Sequence, residues 1–279
     1  FNPGDICLVA APTYFVFLGV LQAVGASIVP VQSDQQGMCP GALRAALQRL
    51  EQSGLLGRVR LIYDVSDFEN PSGVSVSADR RPALLALARE YSRESRIFLL
   101  EDAAYRELRY DGQSPPSIWS CDRERDTVIL AQTFSKSFSP GIRVGLGVVP
   151  QVLVKPLSDL KGNEDFGSAH LNQHVVARAI RERTYHQHVQ RVRDGYRVKR
   201  DAMLEAARNL AAQRGLATAV VTEWTRELKQ AAQDKQHPFH LFGQASMKAA
   251  ATTASEFTAL RDGWLKVNAV APPATPPEQ

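Results

Sequence analysis

The stretch "TVILAQTFSKSFSPGIRVGLGVVP", residues 127–150, decides the fold. It opens on an apolar run, passes through a Ser/Thr-rich segment around one lysine, turns at Pro140–Gly141, and re-enters an apolar run behind Arg143. By period it reads as strand, loop, strand, with strands over 127–132 and 143–149. Similar short runs occur upstream at 5–10 ("DICLVA"), 27–31 ("SIVPV"), 61–65 ("LIYDV") and 97–102 ("IFLLED"). Helical patterns fall between several of them, notably at 41–51 and 79–91. In "DRRPALLALAREY" (79–91), Asp79 is the predicted N-cap and Pro82 is tolerated in the first turn. Leu84, Leu85, Leu87 and Ala88 share one face there. Short apolar strands alternating with helices predict an α/β fold, a mostly parallel sheet with helices on both faces.

Beyond residue 151 the pattern turns helical: 151–160, 170–183, and a long basic stretch over 184–213. A weak strand, "ATAVVTEW" (217–224), and a Pro-rich tail, "APPATPPEQ" (271–279), follow; the tail reads as disordered. The predicted organisation is a large domain over 1–165, connecting helices over 166–213, a reduced and atypical small domain over 214–265, and a C-terminal segment over 266–279. Because "DICLVA" already reads as a core strand, the chain is expected to begin in mid-fold. No signal peptide is read at its start. Residues 14–31 are long and uncharged, but Gln22, Gly25, Ser27 and Pro30 interrupt them, so they read as a buried helix–strand pair and no membrane span is expected.

The chain has 279 residues, 44% hydrophobic and 22% charged, with a net charge of +4, which fits an ordinary globular protein. The mild basicity is spread out and does not indicate nucleic acid. Three cysteines, Cys7, Cys39 and Cys121, in no metal-type spacing, suit reduced thiols in a cytoplasm. Neither GxGxxG nor GxxxxGK[ST] occurs, which argues against a dinucleotide or P-loop site.

In a parallel sheet, ligands bind beyond the carboxyl ends of the strands. Past 61–65 stands Asn70; at the end of 97–102 stand Glu101 and Asp102, then Tyr105; past 127–132 come Thr133, Ser135, Lys136 and Arg143. Each alone has an ordinary explanation, such as a turn for Asn70–Pro71 or a cap for an acid at a strand end. Their joint occurrence at one sheet edge carries the weight.

Three motifs, "NPSG" (70–73), "EDAAYRELRY" (101–110) and "TFSKSFSPGIRVG" (133–145), resemble those of the class I/II aminotransferases, fold type I pyridoxal-phosphate enzymes, in their 2-aminoadipate-type branch. "NPGDICLVAAPTY" (2–14) also resembles that family's segment carrying an aromatic over the cofactor ring. The resemblance covers about residues 2–213. It implies pyridoxal 5'-phosphate as cofactor, an amino acid and a 2-oxo acid as substrates, and a homodimer. By resemblance, Lys136 forms the aldimine and then serves as the proton-shuttling base. Asp102 would pair with the pyridine nitrogen, and Asn70 and Tyr105 would bond the phenolic oxygen. Arg143, Thr133 and Ser135 would hold the phosphate, and Tyr14 would stack on the ring. The departures are a phosphate-cradling Gly-Ser-Gln-like helix start, an N-terminal arm and a late carboxylate-gripping arginine, none of which these residues supply. Lys266 is the nearest late cation for that last role, with a poorer fork than arginine. Two other readings stay open, a non-catalytic cofactor- or effector-binding domain and an inactive truncated copy.

The pairs His170/His174, His186/His188 and His237/His240 have no evident third ligand and read as solvated or core histidines, with no metal site. The basic stretch 191–204 reads as a packed helix, with Val192, Tyr196, Val198 and Met203 inward and its cations outward.

Overall fold

The computed structural model describes residues 1–213. The predicted small domain and tail, the strand at 217–224, Lys266 and the pair His237/His240 lie outside the described residues. Residues Phe1–Met203 form one compact unit.

In chain order the elements are β1 (Ile6–Ala11), α1 (Phe15–Ala23), β2 (Ser27–Asp34), β3 (Gly37–Met38), α2 (Pro40–Gln52) and β4 (Val59–Val65). Then come α3 (Arg80–Glu90), β5 (Phe98–Asp102), α4 (Ile118–Cys121), β6 (Val128–Thr133) and β7 (Gly145–Val148). Three helices follow, α5 (Gln151–Asp165), α6 (His170–Arg181) and α7 (Thr184–Gln213). The strands form one sheet in the order β3-β2-β1-β4-β5-β6-β7. β1, β2, β4, β5 and β6 run parallel; β3 and β7 are the antiparallel edges. The fold is therefore the expected α/β class.

Both sheet faces are covered, which is why the central strands are apolar on both sides. On one face Leu8, Ile62 and Leu99 are fully buried against Leu47 of α2 and Leu84 and Ala88 of α3. Each such leucine contributes roughly 1.5–3 kcal/mol by leaving water. On the other face Cys7, Val9, Leu61, Tyr63 and Val65 pack under Leu21, with Phe17 and Leu18 of α1 alongside. That burial pushes the Cys7 thiol up to about 12, keeping it protonated and inert.

Two readings need correction, and one buried residue was not anticipated. Asp79 stands at the start of α3 but makes no capping bond, because its backbone is already helical (φ −70°, ψ −32°) and a capping oxygen needs an extended residue to swing back over the first turn. Arg81, on the same helix, is fully buried with the leucines. On α7 the pattern is inverted: Val198 and Met203 are exposed, whereas Arg193, Arg197 and Arg200 turn toward the 105–111 segment. Ion pairs and carbonyl bonds there outweigh the apolar spacing. Among the described residues, no helix is long and apolar enough to cross a membrane, and no group of three or more His, Cys, Asp or Glu could hold a metal ion.

Candidate functional site

The register of the parallel strands gathers the candidate residues. Val65 pairs with Asp102, and Asp102 with Ala131, so β4, β5 and β6 end side by side. Asp102 closes β5 and Thr133 closes β6. The segment after β1 carries Tyr14, beside the cluster that includes Tyr63, Phe17 and Tyr105.

Asp102 is held at both oxygens. The Tyr63 hydroxyl donates to Oδ2 at 2.9 Å, and the Ala104 amide donates to Oδ1 at 3.1 Å. Burial lifts the Asp102 carboxyl above its usual range, and these two donors pull it back. Tyr63 itself is held far above the usual phenol range, first by burial and then by the Asp102 charge, so it stays a donor. Three residues on, Tyr105 lies beside Lys136, whose Nζ is 5.9 Å from the ring centroid. Lys136 is exposed and approachable.

Lys136 and Arg143 sit on one loop between β6 and β7. The Phe134 amide bonds the Val144 carbonyl at 3.0 Å and closes its base. Thr133 Oγ1 accepts the Ser135 amide at 3.1 Å, and the Arg143 guanidinium lies 3.4 Å from Ser135 Oγ. Arg143 adopts a left-handed backbone, φ +51°, which is uncommon for a residue with a Cβ and is often found at functional sites. Gly145 is required next: a Cβ there would stand 2.9 Å from the Gln132 carbonyl oxygen. Asn70 is exposed in the turn after β4, where the Gly73 amide bonds the Glu69 carbonyl. The structure thus brings Asp102, Tyr105, Lys136 and Tyr14 to one side and Thr133, Ser135 and Arg143 together on the loop, with Asn70 on the neighbouring turn.

Several supports were not legible beforehand. Ser137 Oγ meets the Tyr185 hydroxyl at 2.9 Å, His188 Nε2 meets the Phe138 carbonyl at 3.0 Å, and the Asn172 amide donates to the Ile142 carbonyl at 2.9 Å. These bonds pin the lysine loop to α6 and α7. The 105–111 segment is held by Arg193 on the Glu107 carbonyl, Arg197 on the Tyr110 carbonyl and Arg200 on Asp111. No spacing rule finds such long-range partners.

Glu69, next to Asn70, and Asp64, on β4, are two buried carboxyls with no ion pair among the described residues. Glu69 is pushed up to about 8 by burial and then by Asp64, and Asp64 up to about 7 by burial and then by Glu101. Glu69 Oε1 and Asp64 Oδ2 are buried without a hydrogen-bond partner, which a neutral acid tolerates better than a charged one. A carboxyl raised on folding stabilises fully below its unfolded value, near about 4, and loses that contribution as pH rises through its folded value. Stability is therefore expected to fall from about pH 4 to about pH 8. Glu69→Gln should remove part of that slope and gain on the order of 2 kcal/mol over wild type at about pH 8. Urea unfolding across pH measures this, and parallel curves for the two proteins would refute it.

The donor set fits a flat, anionic heterocycle with a basic ring nitrogen. It offers an ordered carboxylate, an approachable amine, hydroxyls beside a guanidinium, and aromatic walls. A family model described as aminotransferase class I and II matches residues 1–275. Aromatic-amino-acid aminotransferase 1 of Thermococcus litoralis is 33% identical over 205 residues, 74% of this chain and 48% of that one. An uncharacterized HTH-type transcriptional regulator, YdfD of Bacillus subtilis, is 32% identical over 203 residues, 73% of this chain and 40% of that one. The crystal structure of a Pyrococcus horikoshii kynurenine aminotransferase, in complex with PMP, superposes with a TM-score of 0.70 at 35% identity, over 74% of this chain and 49% of that one. The chain spans about half the length of these two aminotransferases.

Proposed function

Because the chain belongs to the aminotransferase class I and II family, we propose that it binds pyridoxal 5'-phosphate and moves an amino group between an amino acid and a 2-oxo acid. What most supports this is the convergence of Asp102, Tyr105 and Lys136 at adjoining strand ends, with Lys136 Nζ 5.9 Å from the Tyr105 ring. The cofactor, when bound, supplies the electron sink for amino-group transfer. The chain's residues do the rest. Asp102, ordered by Tyr63 and Ala104, presents a fixed acceptor to a protonated ring nitrogen. Lys136 anchors the cofactor through its amine and then moves the proton at the substrate's α-carbon. Asn70 and Tyr105 serve the ring's phenolic oxygen, and Tyr14 covers a ring face. Arg143, with Thr133 and Ser135, binds the phosphate, for which a planar fork is suited.

An aromatic amino acid is the donor class this reading favours, from the names of the Thermococcus and Pyrococcus relatives. A second copy is the expected partner, and exposed Val152, Leu157 and Leu160 on α5 support a covered face. Three free cysteines agree with a cytoplasmic setting. The likeness to YdfD favours one other reading, a domain that binds the cofactor or an effector without turnover. Adding pyridoxal phosphate to the purified chain should give a visible band that borohydride fixes. An aromatic amino acid should then bleach that band, and a 2-oxo acid should restore it with formation of a new amino acid. A band indifferent to amino acids would favour the binding domain; no band would refute both.

A further inference from the structure

The structure assigns Tyr63 a role that no motif gives it: we propose that it is the positioning residue that orients the Asp102 carboxylate and keeps it ionised for a cationic ring nitrogen. This rests on the cofactor reading above. Tyr63 is 1% exposed, and its hydroxyl reaches Asp102 Oδ2 at 2.9 Å from the neighbouring strand. Its ring is clamped by Phe17 of α1, stacked at 3.9 Å between centroids and 24° between planes. The hydroxyl therefore cannot swing away without breaking an aromatic stack. With Ala104 holding the other oxygen, the carboxyl plane is fixed from two directions.

An acid as buried as Asp102 drifts toward the neutral form, and a neutral acid cannot balance a pyridinium. A hydrogen bond to the charged form opposes that drift. The ionisable groups facing the pair are few. Asp64 and Glu69, on and after β4, add to the hold on the Tyr63 proton when they are ionised. Lys136 and Tyr105 stand on the segments beyond β6 and β5, and Tyr14 borders the same cluster. None of these is bonded to Asp102, so Tyr63 is the one side-chain donor on it among the described residues.

The test is Tyr63→Phe in the whole chain, which keeps the ring and its stack. The dissociation constant for pyridoxal phosphate is followed against pH by the absorbance of the bound form. Tyr63→Phe should weaken binding about tenfold near neutral pH and shift the acid-side loss of affinity to higher pH. The protein without cofactor gives a second readout. Carbon-13 carboxyl NMR of labelled aspartate, with the Asp102 signal identified by its loss in Asp102→Asn, should show a higher titration midpoint in Tyr63→Phe. An unmoved midpoint overturns the role of Tyr63 whatever the cofactor does. A wild-type protein that ignores pyridoxal phosphate while the midpoint moves overturns the cofactor reading instead. Should Tyr63→Phe not fold, site-specific 3-fluorotyrosine at position 63, a stronger donor, should lower the midpoint; no change there is equally fatal.

Discussion

Lys136→Ala should leave a folded chain whose transamination falls by roughly 10⁴-fold or more, with no borohydride-fixable linkage to pyridoxal phosphate. The size follows from the two tasks resting on one amine. In the proposed function it would be both the covalent anchor and the group that carries the proton at the substrate carbon. Losing proton transfer alone costs roughly 10²–10⁴-fold, and losing the anchor adds to that. Folding should be spared, because Lys136 is exposed and its loop is held by Ser137, Phe138 and Ile142 instead. Circular dichroism should match wild type. A Lys136→Ala protein that still turns over at the wild-type rate would remove the lysine from the chemistry.

The largest stability effect should come from Arg81→Met. Arg81 is fully buried, yet it is the hub of a polar knot under the strand ends. Its guanidinium donates to the carbonyls of Val76, Ser66 and Pro116 at 2.9–3.0 Å and to Asp67 at 3.0 Å, and it lies 3.7 Å from Glu101. Glu101 in turn accepts the amides of Ile118 and Trp119 and the Ser66 hydroxyl, holding the first turn of α4. Methionine fills much of the volume but leaves Asp67 and Glu101 buried near an absent cation. Breaking a buried pair in this way costs about 3–5 kcal/mol. Arg106 and Arg109 lie 3.3 and 3.4 Å from Asp67 and temper its loss, so Glu101 should dominate. Urea unfolding monitored by circular dichroism measures the change; a loss below about 1 kcal/mol would show that the knot is not a unit.

The fold was legible because its determinants are local. β1 and β4 are short apolar runs buried on both faces, β5 and β6 are short apolar runs beside them, and the ends of all four fell within two residues of the observed ones. Motif spacing also placed Asp102 and Thr133 at strand ends, where the register then brought them together. What stayed hidden depends on partners distant in sequence. Tyr63 reads as one more apolar strand residue until β4 is set beside β5, 39 positions later. Arg81 occupies a core face that helical periodicity reserves for leucine, and only three carbonyls, from the loops before α3 and before α4, explain it. On α7, apolar spacing pointed to Val198 and Met203, but the arginines had acceptors on the 105–111 segment that no periodicity could reveal.

The ties from α6 and α7 back to the loop around Lys136 also set an order of assembly. Their partners Asn172, Tyr185 and His188 lie in α6 and α7, which follow every strand of the sheet in the chain. On a growing chain the sheet can therefore take shape first, while the loop around Lys136 stays unbraced until Tyr185 and His188 have emerged and docked.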